Sequence, residues 1–128
     1  MYRAYGLLLP KTDFNLDTAA SRLAAKMAGA TVARNGNIVS VSKGNWTLNI
    51  ADVTGDHIPN ETVGITDHIA GFERDDADQL AKSNRRIEVW TDDPDPFMEH
   101  FNDYLFAVEV LKSFSGVIAV DPNGPDVL

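Results

Sequence analysis

At 128 residues, 44% of them hydrophobic and 23% charged, the chain has the composition of one globular domain and not of a disordered segment. It contains no cysteine, which excludes disulfides, thiolate metal sites and cysteine nucleophiles together and fits a reducing compartment. The formal charge of −8 is uneven: residues 1–50 hold six Lys/Arg against two Asp/Glu, +4, and residues 51–128 hold five against seventeen, −12. An acidic surface repels phosphate backbones and anionic lipid, which argues against nucleic-acid and membrane partners and for a basic protein or a cationic ligand. The run Leu7-Leu8-Leu9-Pro10 is too short for a membrane span or a signal-peptide core, so a cytoplasmic location is expected.

The first element is a strand over Tyr2–Leu9, whose unbroken leucines predict burial on both faces and which Pro10 ends. A helix follows, with Leu16, Ala20, Leu23 and Met27 on one stripe, Asn15 as its N-cap and Gly29 at its C-terminal stop. Thr31–Arg34 and Asn37–Ser42 flank Asn35-Gly36, the signature of a type I′ hairpin turn. Lys43-Gly44-Asn45 turns the chain again into Trp46–Val53, where Trp46, Leu48 and Ile50 alternate with polar or small residues, completing a three-stranded antiparallel meander.

Between Gly55 and Asn84 the periodicity is weaker. Ile65, Ile69 and Phe72 have helical spacing, and Asp75–Ser83 has acids suited to a first helical turn. Arg86–Thr91 reads as a strand with Ile87 and Val89 on one face and Arg86, Glu88 and Trp90 on the other. Asp95 then caps a long helix that has Pro96 at its first position, an apolar stripe of Phe97, Phe101, Tyr104, Leu105, Val108 and Leu111, and Gly116 beyond its end. Val117–Val120 is a short buried strand closed by the turn Asp121-Pro122-Asn123-Gly124.

No repeat or linker divides the chain, so residues 1–128 are expected to form one α+β domain. A strand–helix–strand unit at each end predicts a two-layer sandwich with ferredoxin-like βαβ units, an inserted antiparallel meander, and helices on one face of a mixed sheet.

The acid run Asp92, Asp93, Asp95, Glu99 and Asp103, with Trp90 beside it, is the densest charge in the chain. Carboxylates at a helix start satisfy orphan N–H groups. Asp92 precedes the helix and Asp103 lies well inside it, so those two point instead to a face for a basic partner. Trp46 and Trp90 would mark a contact site if exposed together. His100, three residues before Asp103, suits an exposed charge-assisted pair on a solvated helix face.

A second candidate site draws on the dipeptides Asp56-His57 and Asp67-His68, with Glu73, as an alternative ligand site. Neither dipeptide has a second histidine at the i+4 spacing of the HExxH kind, so no metal is expected. No glycine-rich phosphate loop and no GxSxG elbow is present, and no catalytic residue or cofactor is assigned.

The leading expectation is a non-enzymatic module that holds a basic protein through its acidic C-terminal surface. It is similar in composition, though not in motif, to toxin-neutralising immunity proteins and other small acidic inhibitors. A small enzyme or ligand-binding domain with its site in residues 55–75 is the alternative, and a self-associating homo-oligomeric subunit joined through the sheet is a third.

Overall fold

The computed structural model describes residues 2–128, which form an α+β domain of seven strands and four helices. In chain order these are β1 (Arg3–Leu8), α1 (Leu16–Lys26), β2 (Thr31–Asn35), β3 (Ile38–Lys43), β4 (Trp46–Thr54), α2 (Ile58–Asp67), α3 (Arg74–Leu80), β5 (Arg85–Trp90), α4 (Phe101–Lys112), β6 (Val117–Asp121) and β7 (Asp126–Val127). One sheet contains all the strands, in the order β2-β3-β4-β5-β1-β6-β7. Every pairing is antiparallel, so the expected mixed sheet is corrected to an antiparallel one. The two strand–helix–strand units interleave: β1 and β4 run the same way with β5 between them, and β5 and β6 run the same way with β1 between them. No two parallel strands touch.

β1 is the centre of this arrangement. Successive side chains on a strand point to opposite faces, and both Leu7 and Leu8 are buried. Leu8 and Ala4 join the larger core, made with Leu16, Leu23 and Met27 of the α1 region and Val108 and Leu111 of α4. Leu7 joins a smaller core with Ile65 and Ile69, Leu80 and Val120. Helices α2 and α3 therefore cover the face opposite α1 and α4, and the expectation of helices on one face is corrected on this point. A strand buried on both sides needs cover on both sides.

The local signals of α1 are realised. Asn15 Oδ1 accepts the N–H of Thr18 at 3.0 Å, and Gly29 takes a left-handed φ of 82°. The first hairpin turn is displaced by one residue from expectation, while the second lies within the expected Lys43-Gly44-Asn45. Asn35 pairs with Ile38, and Lys43 with Trp46, so the turn residues are Gly36-Asn37 and Gly44-Asn45. In each turn the glycine has positive φ and the asparagine does not, which is the type II′ pattern instead of type I′. This register keeps Val39 and Val41 in the core.

Helix α4 starts five residues later than Pro96 would place it. Of its expected stripe, Tyr104, Val108 and Leu111 are buried and Phe101 is half-buried, while Phe97 and Leu105 are exposed. Ala107, Val110 and Asp103 occupy buried positions in their place. Past the helix, Gly116 has φ 70°, and a Cβ there would lie 2.8 Å from Thr12 Cα. The main chains meet here, with Leu9 donating to the Gly116 carbonyl at 2.8 Å. Gly116→Ala combines a strained backbone with a steric overlap, so it is expected to lower stability by at least about 1–3 kcal/mol, read as a lower urea midpoint at unchanged slope.

Candidate functional site

Where β3 turns into β4, the sheet meets the 92–100 loop and encloses a recess of ≈ 430 Å³ whose lining includes Lys43, Asn45, Trp46, Asp95, Phe97 and His100. Trp46 heads the inward face of β4 and is only 2% exposed. Its ring stacks on His100 with centroids 4.6 Å apart and an interplanar angle of 3°. His100 Nδ1 lies 3.0 Å from Asp103 Oδ2, and Lys43 Nζ donates to Asp103 Oδ1 at 3.3 Å. Asp103 is 4% exposed, so one buried carboxylate serves two basic groups, as buried charges require.

Asp95 organises the loop. It accepts the hydroxyl proton of Tyr2 at 2.6 Å and the main-chain N–H groups of Glu99 at 3.0 Å and His100 at 2.9 Å. Desolvation opposes its charge, but the bonds from Tyr2, His100 and Glu99 outweigh that and hold its carboxyl below the ordinary aspartate value. The Tyr2 phenol is pushed up to about 12, first by burial and then by the hydrogen bond and charge of Asp95. Closer to the strand, Asp93 accepts the N–H of Thr47 at 2.7 Å and donates its own N–H to Thr91 Oγ1 at 3.2 Å. The Thr91 hydroxyl donates to the Thr47 carbonyl at 2.7 Å.

The acid run is thus divided in two. Asp93, Asp95 and Asp103 turn inward and are consumed by hydrogen bonds, whereas Asp92 and Glu99 face water. Trp90 is half-buried on the sheet face opposite Trp46, because it pairs with Asn49, whose side chain alternates with those of Leu48 and Ile50. The two tryptophans form no common patch. His100 makes the expected pair with Asp103, but part-buried against Trp46 and not on a solvated face.

Residues of the alternative site are dispersed. His57 precedes α2 and His68 follows it, and the ten residues between place them roughly 15 Å apart. Asp56 and Asp67 are exposed beside them. Glu73 caps α3 by accepting the N–H groups of Asp75 and Asp76 at 3.2 and 2.8 Å. Among the described residues, no three His, Asp or Glu side chains are grouped so as to hold a metal ion.

What sequence reasoning missed is the 94–98 segment. Phe97 is 82% exposed and Met98 59%, and Met98 takes a φ of 56°, the one positive value outside glycine among the described residues. No local signal marks it, since the restriction on a residue before proline acts on Asp93 and Asp95, which precede the expected helix in either case. Among the described residues, the recess lining contains no serine, threonine or cysteine beside the His100–Asp103 pair. Comparison with known proteins finds no matching family model, no matching curated protein and no matching solved structure. No helix among the described residues is long and apolar enough to cross a membrane.

The Tyr2–Asp95 bond makes a pH prediction with a definite sign. An ordinary phenol loses its proton near 10, so between pH 10 and about 12 the unfolded chain ionises at Tyr2 before the folded one does, and stability falls as pH rises. Tyr104, raised by burial and then by the charge of Asp121, contributes in the same direction. Urea midpoints measured across this window are expected to drop less in Tyr2→Phe than in the natural protein. Equal drops would deny the Tyr2 contribution.

Proposed function

We propose that this chain is a non-enzymatic protein-binding module that engages a basic partner through the 92–99 loop. Phe97 is the apolar anchor, with the exposed carboxylate of Glu99 two residues on and that of Asp92 at the start of the loop. The observation that carries this reading is the 82% exposure of Phe97 on a loop whose backbone is pinned from inside by Asp95. Burying a phenylalanine side chain is worth about 1.5–3 kcal/mol, a gain the isolated domain forgoes and an interface recovers. Met98 beside it supplies an adaptable apolar contact, and its left-handed backbone is the kind of strain that persists at contact sites.

Charge supports the choice of partner. A net −8 steers a basic protein and raises its association rate at low ionic strength. The acids of α2, α3 and their flanks add to that field: Asp56, Asp67, Asp75 and Asp78 are exposed and form no ion pair among the described residues.

Two measurements test the proposal. The immobilised full chain is expected to capture a basic protein from native extract, with Phe97→Asp reducing capture at least about tenfold, a loss of 1.4 kcal/mol or more. The association rate should fall as salt rises. Undiminished capture by Phe97→Asp, or a rate indifferent to salt, would contradict it.

A further inference from the structure

On the other face of the sheet lies a set of polar groups that the fold does not consume. Helices α2 and α3 cover this face only in part. Beside their small core, a recess of ≈ 410 Å³ opens between α2, the start of β1 and the turn after β6, with Arg3, Tyr5, Glu61, Ile65, His68 and Asn123 in its lining. A second recess of ≈ 250 Å³ shares Arg3 and Asn123 and leads on to Trp90 and Asp92. Arg3 stands at the junction of the two.

The polar groups around this junction differ in how far they are already engaged. Arg86 is almost wholly buried, donates to Glu61 at 2.8 Å and Glu88 at 2.9 Å, and lies 4.1 Å from the centroid of the Tyr5 ring. Those contacts fix Tyr5 and Glu61, and with them one wall of the recess. His68 Nδ1 is 2.7 Å from the Gly64 carbonyl, which can only accept, so Nδ1 carries the ring proton and Nε2 is the remaining polar atom. Arg3 is exposed and its guanidinium forms no ion pair and no hydrogen bond among the described residues.

We infer that this recess binds a small organic monocarboxylate, its carboxylate on the Arg3 guanidinium and its apolar body against Tyr5, Ile65 and Pro122. Arginine presents a planar fork that matches a carboxylate in two parallel hydrogen bonds, and among the described residues Arg3 is the one lysine or arginine lining the recess. The net charge of −8 and the acid Glu61 in the lining both disfavour anions, and the one guanidinium offsets that for a single negative charge and not for a polyanion. A volume of this size suits a small molecule, and a wall held by the Arg86 contacts is already ordered, so little is lost on binding. The inference is independent of the 92–99 loop, since no residue of that loop lines the larger recess, which is the proposed site.

Sodium benzoate is the probe, titrated into the isotopically labelled full chain at constant ionic strength while main-chain amide shifts are followed. Saturable shifts are expected at residues 64, 68 and 123. Arg3→Gln, a substitution on an exposed side chain, should weaken the affinity at least about tenfold, and benzamide, the uncharged analogue, should be weaker by a similar factor. Shifts that are absent or confined to other residues, an Arg3→Gln affinity equal to the natural one, or equal binding of benzamide would each overturn the assignment.

Discussion

One carboxylate sets the geometry on which the functional reading depends. Asp95 accepts a hydroxyl from Tyr2, beside the central strand and 93 positions away in the chain, together with two main-chain N–H groups of its own loop. Because its oxygens are engaged with residues 2, 99 and 100, the chain cannot run from Pro96 directly into a helix. It loops outward, passes through the left-handed residue Met98, and starts α4 only at Phe101. Two consequences follow from that late start. Phe97 is left in water, and α4 presents Asp103 and Tyr104 inward, so that Asp103 meets His100 and Lys43 beneath the Trp46 ring.

The division of charge along the chain does not become a division in space. The basic N-terminal part pairs with the acidic C-terminal part across the fold: Lys26 with Glu109 at 2.8 Å between α1 and α4, and Lys43 with Asp103 at 3.3 Å between the meander and α4. Within the later half, Arg85 holds Asp52 and Arg86 holds Glu61 and Glu88. The exposed pair between Lys26 and Glu109 adds little stability, since such pairs are worth about 0–1 kcal/mol. The effect of these pairs is on where uncompensated charge remains. Acid is left on the surface of α2 and α3 and at Asp92 and Glu99, and Arg3 lines the recess on the opposite face without an ion pair among the described residues.

Much of the fold was legible because its signals are local. Asn15 caps α1 with its side chain and Gly29, lacking a Cβ, takes the left-handed turn beyond its end, the alternation through Trp46, Leu48 and Ile50 marks β4, and the leucine run of β1 announced burial on both sides. The features that were not legible depend on contacts between distant residues. The turn register is set by which valines reach the core, not by the Asn-Gly pair alone. The start of α4 is set by Tyr2, which no periodicity in residues 95–111 could reveal. Helices on both faces were implied by Leu7 and Leu8, and the helix assignment for residues 55–84 was too weak to use that implication. At the site, Phe97 reads as core because its spacing to Phe101 and Tyr104 is helical and Pro96 suits a first helical position, so nothing local opposes a helix there.

Amide hydrogen exchange at Glu99 and His100 tests the central claim most directly, because these two N–H groups are the ones that Asp95 holds. Both should exchange slowly in the natural protein and become fast in Asp95→Ala while the amides of β1 and β5 keep their protection. Fast exchange at both positions in the natural protein, or protection that survives the substitution, would mean that Asp95 does not shape the loop and that the exposure of Phe97 has another origin.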